Sequence, residues 1–331
     1  MTTPIVSFVM PAYNVAQYLP TAVEAIKAQT MTDWELIIVD DCSSDETYAL
    51  AKSYAEEDSR IRVLKTDYQS GGVYIPRKIA IDNAKSEIIA PLDADDKVEP
   101  DYLQTLWEEM GKAEGIDIVY PIMYRWNGIT LGDVHPHDKS LYGIPVEGKE
   151  MVKYTLDGWR IHCGGGLIRR NLYLSSFPSI DKEKIKLSTY IDECLTRILL
   201  YNARKVMISD TRYYYRENED SITNVKDLRS FGILGNNQFL LEFIRANYPE
   251  DSNERILMER QNFHSYFDAL RQMRESSLSK KEKNVVMGQL KISQRSADRK
   301  TLRHNASKKY YLLYRLPIRL CDILLRILDR L

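Results

Sequence analysis

Hydrophobic positions in the first hundred residues fall into short β-branched runs separated by stretches of helical spacing. Ile5-Val6-Ser7-Phe8-Val9-Met10 is an apolar run halted by Pro11, the pattern of a buried strand. Leu19, Val23 and Ile26 then recur at helical intervals, with Glu24 and Lys27 left for the solvent face. Leu36-Ile37-Ile38-Val39 predicts a second strand ending at Asp40-Asp41, and Ser44 with Thr47 opens a helix through Leu50 and Tyr54. Ile61-Arg62-Val63-Leu64, the helix Arg77 to Ala84, and Ile88-Ile89-Ala90-Pro91-Leu92 continue the alternation. Strand and helix in this rhythm imply βαβ units and a mostly parallel sheet with helices on both faces. Ligands of such sheets bind at the carboxyl ends of the strands. Tyr13-Asn14, Asp40-Asp41 and Asp93-Ala94-Asp95-Asp96 all fall there.

Residues 115–215 keep the mixed pattern. Asp117-Ile118-Val119-Tyr120 reads as a strand, and Val206-Met207-Ile208 as another after a helix that Asp192 begins. Beyond about Asp227 the strand signal ends, and Phe231–Tyr248, Glu254–Glu275 and Lys280–Gln294 carry helical spacing. The pattern therefore predicts an α/β domain over 1–225 and a helical C-terminal region over 226–331.

Charge sharpens this division. The net charge of -1 conceals eleven Lys or Arg against three acids from Lys291 onward, which leaves 35 basic and 44 acidic groups before it. A basic tail on an acidic body points to an anionic partner, here a membrane surface rather than nucleic acid. Leu313, Leu316, Leu320, Leu324, Ile327 and Leu331 fall on one helical stripe among arginines, with Pro317 predicting a kink or a helix start. Such a stripe packs on its own domain or on another copy of the chain, or lies on anionic lipid through 310–331. Four scattered cysteines form no CxxC pair, so reduced thiols are the plain reading. Neither a secretory signal nor a membrane span is visible. The expected location is the cytoplasm, with peripheral attachment to the inner face of the membrane.

The candidate chemistry lies in the strand-end clusters. Adjacent carboxylates such as Asp93, Asp95 and Asp96 repel one another unless a cation or hydrogen-bond donors compensate. A divalent ion with oxygen ligands would do so; an acidic loop ahead of a helix near Pro100-Asp101 is the plainer explanation. Ser44 or Asp45 suits a helix N-cap, which leaves Asp40 and Asp41 unexplained. Tyr13 could stack on a base or pack in a turn. Gly71-Gly72 followed by Arg77 suits a diphosphate, although alone it is a glycine-containing loop.

In order and spacing, these pieces resemble the family 2 glycosyltransferases, which have the GT-A fold. The resemblance covers roughly residues 5 to 215. It is carried by Pro11-Ala12-Tyr13-Asn14, Val39-Asp40-Asp41-Cys42-Ser43-Ser44-Asp45, Arg77 with Asn83-Ala84-Lys85-Ser86-Glu87, Leu92-Asp93-Ala94-Asp95-Asp96, and Asp192. It implies an inverting enzyme that transfers sugar from a UDP-sugar to a hydroxyl of a glycan or lipid-linked glycan in cell-surface polysaccharide synthesis. Pro11, Ala12 and Tyr13 would then lie against the uracil and Asp41 would accept from its imide N–H. Arg77 would approach the uracil or diphosphate. Asp93 would hold the ribose, Ala94 would sit beside it, and Asp95 would ligate Mn²⁺ or Mg²⁺. Asp96 would face the donor sugar.

Asp192 would act as the base, with Glu193 its rival because many relatives have Glu-Asp where this chain has Ile191-Asp192-Glu193. Lys78 replaces an Asn that often follows the helix arginine. His162 and Trp159, beside Gly164-Gly165-Gly166, would touch the sugar, and Arg216 would reach the diphosphate; Tyr213-Tyr214-Tyr215-Arg216 would line an acceptor cleft or, more plainly, pack as strand residues. Two other functions compete. A nucleotidyltransferase would carry a glycine-rich basic loop that Pro11-Ala12-Tyr13-Asn14-Val15 lacks, and a non-catalytic nucleotide-sugar-binding protein would not need both Asp95 and Asp192.

Overall fold

The computed structural model describes residues 3–134, 138–156, 164–180, 191–217 and 227–329. The chain forms two compact units: Met1–Ile180 with Leu195–Glu219, and Asp181–Cys194 with Asp220–Leu331.

The first unit is built on a sheet. Its strands are β1 (Val6–Ala12), β2 (Trp34–Asp40), β3 (Ile61–Lys65), β4 (Ile88–Pro91), β5 (Lys97–Val98), β6 (Ile116–Trp126), β7 (Leu131–Val134), β8 (Val146–Glu147), β9 (Leu167–Arg169) and β10 (Lys205–Arg216). Eight of them run in the order β3-β2-β1-β4-β9-β6-β10-β5, with β7 beside β6 and β8 beside β10. The half made of β3, β2, β1 and β4 is parallel, as the alternation predicts. Every residue of β1 and β2 is buried, which accounts for their unbroken apolar runs. The other half is mixed. Short β9 enters antiparallel to both β4 and β6, and β5 pairs antiparallel with β10. These pieces of two and three residues are too brief to leave a periodic signal.

The first strand also outlasts its expected stop. Pro11 and Ala12 remain paired with Val39 and Asp40. Pairing of β1 with β4 ends at Val9, so a residue without an N–H is tolerated beyond that point. The helices of this unit are α1 (Leu19–Lys27), α2 (Thr47–Glu57), α3 (Tyr74–Asp82), α4 (Tyr102–Met110), α5 (Gly148–Leu156), α6 (Arg170–Ser176) and, from Leu195 on, α7 (Ile191–Asn202). Buried Leu19, Val23 and Ile26 on α1 meet Phe8, Met10 and Leu36 in one core.

Glu35 braces this sheet from inside β2. Its Oε1 accepts from Ser7 Oγ at 2.6 Å and Lys85 N–H at 2.7 Å, and its Oε2 pairs with Arg62 at 2.8 Å. Burial opposes ionisation most strongly, yet the three partners together hold the carboxyl below its usual range.

The second unit is helical among the described residues. Its elements are α8 (Ile233–Asn247), α9 (Asn253–Glu275), α10 (Lys280–Ser296), α11 (Arg299–Asn305), α12 (Lys308–Tyr314) and α13 (Ile318–Leu328). Its core centres on aromatic rings, with Tyr266 and Tyr314 4.7 Å apart and Phe263 and Phe267 5.1 Å apart, joined by Leu302, Cys321 and Leu325. Pro317 is the N-cap of α13, so the predicted interruption is a helix start. Among the described residues no helix is long and apolar enough to cross a membrane.

Candidate functional site

The parallel register sets Ala12 beside Asp40, and the Leu92 N–H bonds Val9 O at 3.1 Å. Tyr13, Asp41 and Asp93 therefore follow the carboxyl ends of three adjacent strands. The chain leaves β1 through Asn14 and β2 through Cys42, both in the left-handed region at φ 51° and 59°, uncommon for residues with a Cβ. The two exits hold each other in place. Asn14 Oδ1 accepts from Ser44 N–H at 2.8 Å, and Val15 N–H donates to Thr47 Oγ1 at 2.8 Å. Asp45 accepts from Ala16 N–H at 3.1 Å with one oxygen and from Thr47 N–H at 3.0 Å with the other. Of the two expected capping residues, Asp45 is the one that reaches the start of α2. Pro11 and Ala12 are buried within β1, whereas Tyr13 is half-buried where the chain leaves it.

The acidic pair after β2 divides its labour. Asp40 is fully buried, accepts from Ser43 N–H and pairs with Lys65 at 3.6 Å, so its work is structural. Asp41 is buried too. One oxygen accepts from Thr66 Oγ1 at 3.0 Å, the other from Ser70 Oγ at 2.8 Å, and the Ser70 N–H is shared between them. The carboxylate thus gathers in the segment that leads to Gly71 and Gly72.

The Asp93-Ala94-Asp95-Asp96 loop is clamped from two directions. From α3, Arg77 reaches Asp93 at 2.8 Å; the arginine is 1% exposed and the aspartate 22%. From β10, Tyr213 Oη donates to Asp96 Oδ2 at 2.5 Å, and Arg216 N–H donates to Asp96 Oδ1 at 2.7 Å. Arg216 Nε also donates to the Asp95 carbonyl at 2.7 Å, with its guanidinium 4.0 Å from the Trp126 ring centre and 4.9 Å from that of Tyr18. Ala94 is buried, while Asp93 and Asp95 are half-buried.

Asp96, expected against the donor sugar, is fully buried, with both oxygens engaged by β10. Burial, followed by the charges of Asp95 and Asp93, pushes its carboxyl well above the usual range, against the hydrogen bonds from Tyr213 and Arg216. Asp96 thus anchors the loop from beneath. Arg216, expected at the diphosphate, is bonded to the same loop, and so is Arg77 through Asp93.

Tyr213, read from the sequence as a packed strand residue, also holds the acidic loop, a role the sequence reading missed. It is fully buried, and its Oη also accepts from Asp93 N–H at 3.3 Å. The antiparallel pairing of β10 with β5 brings it there, setting Tyr213 opposite Val98. Close packing holds the ring. A Cβ on Gly165 would lie 3.2 Å from the Tyr213 ring, and one on Gly166 (φ +91°) would meet Val119 O at 2.3 Å. The available signal was a hydroxyl-bearing aromatic inside a buried strand, which normally seeks a polar partner.

The remaining expected residues are on α7 or outside the described residues. His162 and Trp159 fall outside the described residues. Asp192 and Glu193 occupy the first turn of α7, both half-buried. Asp181–Cys194 group with the second unit, and Leu195–Glu219 with the first. No three His, Cys, Asp or Glu side chains among the described residues converge as a metal cage.

The chain matches the family described as Glycosyl transferase family 2 over residues 7–175. It is 38% identical over 132 residues to EpsH of Bacillus subtilis, which is 40% of this chain and 38% of the length of that protein. A crystal structure of Staphylococcus aureus TarS in complex with UDP-GlcNAc is similar in fold, with a TM-score of 0.69 and 18% identity over 96% of this chain and 88% of the other. The Pyrobaculum calidifontis mannosyltransferase in complex with GDP-Man and Mn²⁺ has a TM-score of 0.55 and 14% identity, covering 100% of this chain and 89% of that one. The likeness to TarS agrees with the expected GT-A α/β domain followed by a helical region.

Proposed function

The chain belongs to the family 2 glycosyltransferases, and on that footing we propose that it is an inverting, UDP-sugar-dependent transferase. The acceptor is a hydroxyl of a glycan or lipid-linked glycan in cell-surface polysaccharide synthesis. The observation that carries the reading is the convergence of Tyr13, Asp41 and the clamped Asp93–Asp96 loop at adjacent parallel strand ends.

Each residue can be given a task. Tyr13, next to buried Pro11 and Ala12, offers a ring face to the uracil. Asp41 accepts from the base N–H with the acceptor capacity that Thr66 and Ser70 leave on its two oxygens. Asp93, oriented by Arg77, takes the ribose hydroxyls, with Ala94 the small residue between the two working carboxylates. Asp95 would hold Mn²⁺ or Mg²⁺. The residues fit such an ion, since these cations usually bind through one or two carboxylates plus substrate phosphates rather than an all-protein cage. When bound, the ion offsets the charge gathering on the departing diphosphate. Arg216 adds positive charge beside the same loop, and His162 is assigned to the sugar.

Asp192 is the proposed base. As the acceptor oxygen forms its bond to the anomeric carbon, the bond from that carbon to the diphosphate breaks and the hydroxyl proton passes to Asp192. Attack from the face opposite the leaving group inverts the configuration. A panel of UDP-sugars and GDP-mannose, followed for binding by calorimetry with Mn²⁺ and for slow hydrolysis, tests the reading. A UDP-sugar should bind and hydrolyse in preference to GDP-mannose. Equal binding, or preference for the guanosine donor, overturns the uracil assignment.

A further inference from the structure

The last helix carries two apolar faces, and only one of them is used. On α13, Ile318, Cys321 and Leu325 are buried in the core of the second unit. Two acids fix the same side. Asp322 pairs with Arg274 at 3.0 Å and Asp329 with Arg271 at 3.0 Å, both arginines belonging to α9. With its rotation set, α13 turns Leu320, Ile323 and Ile327 outward at 43%, 55% and 53% exposure. At three- and four-residue intervals these form a continuous ridge. The predicted stripe is therefore divided: Leu313 is buried in the bundle, Leu316 and Leu324 pack partly against it, and Ile323 joins the outer ridge.

The charges beside the ridge select its occupant. Arg319 and Arg326, the latter paired with Asp322 at 2.8 Å yet still 55% exposed, lie a single helical step from Ile323 and border the ridge on one flank. Arg315 is exposed just before Pro317, and Lys308 and Lys309 on α12. This segment holds the surplus of basic groups, whereas the chain before Lys291 carries 35 basic and 44 acidic residues. An anionic surface therefore attracts this end of the molecule and repels the rest. A second copy packed antiparallel, ridge to ridge, about a twofold axis would instead bring like arginines together.

We propose that the outer face of α13 is a docking surface for an anionic phospholipid bilayer. Leu320, Ile323 and Ile327 enter the acyl boundary, and Arg319 and Arg326 lie at the headgroup phosphates. This inference stands independently of the sugar-transfer reading.

Co-sedimentation of the full chain with vesicles tests it. The protein should pellet with phosphatidylglycerol-containing vesicles and stay in solution with pure phosphatidylcholine, and 0.5 M salt should release most of it. Leu320→Ser/Ile323→Ser/Ile327→Ser should weaken partition at least about tenfold, and Arg319→Gln/Arg326→Gln should weaken it several-fold. Circular dichroism should show both variants folded, because the altered side chains are exposed. No pelleting with anionic vesicles, equal pelleting with neutral ones, or wild-type partition by the ridge variant each overturns the proposal. So does a dimer in light scattering that the ridge variant dissociates while vesicle binding is absent.

Discussion

Tyr213 donates to Asp96 at 2.5 Å, joining residues 117 positions apart in the sequence and anchoring the acidic loop to strand β10. The acidic loop therefore owes its position to a strand far along the chain. Tyr213→Phe keeps the ring in its slot beside Gly165 and deletes only the hydroxyl. The melting transition should report a loss of about 1–3 kcal/mol, the cost of leaving a buried acceptor short of a partner. Donor binding by calorimetry should weaken as well, because the Asp93 N–H loses the same oxygen. Unchanged donor affinity would show that the loop holds its shape without this bond.

Asp95 is the proposed metal ligand. Asp95→Ala should abolish turnover while the far-ultraviolet spectrum and melting temperature stay near wild type. EDTA should reproduce the effect on the native chain, and added Mn²⁺ or Mg²⁺ should reverse it. Full turnover in chelator sinks the assignment.

Asp192 and Glu193 are adjacent on the first turn of α7, where helix geometry separates their side chains by about 100°. Asp192→Asn should bind the donor normally and lose about 10²–10⁴-fold in transfer, the usual cost of removing a general base. Glu193→Gln is the matched control. If the two variants exchange behaviours the register is wrong by one residue, and if both remain active the base lies elsewhere.

Glu35 predicts a pH dependence of stability. Its folded pKa is lowered, so the unfolded state binds the proton more readily and stability rises with pH through this group. The contribution is present above the unfolded value near 4.3 and fades as pH falls through the lower folded one. Glu35→Gln should therefore cost about 1–3 kcal/mol at pH 7. Urea titrations at several pH values should show the deficit shrinking below about pH 4. A deficit of constant size down to pH 3 would assign the loss to packing alone.

The sequence by itself determined the parallel half of the sheet, the helical end and the positions of the acidic clusters. Those features rest on local patterns, such as the apolar runs Phe8-Val9-Met10 in β1 and Leu36-Ile37-Ile38-Val39 in β2 and the recurrence of Leu19, Val23 and Ile26 on α1, which burial imposes wherever the segment packs. It also made Asp93, Asp95 and Asp41 visible as candidates, because carboxylates closing an apolar strand carry a recognisable cost. Only the tertiary structure decided what each carboxylate touches. Asp93 and Asp95 lie half-buried, whereas Asp96 turns inward to Tyr213 and Arg216, and no spacing rule reveals that choice. The same holds for β9 and β5, too short for periodicity yet responsible for bringing β10 beside the acidic loop. On α13 the hydrophobic pattern announced an amphipathic helix. Which apolar face is covered was settled by ion pairs from Arg271 and Arg274, more than forty residues earlier in the chain, because a helix with two apolar faces has no rotation until its neighbours impose one.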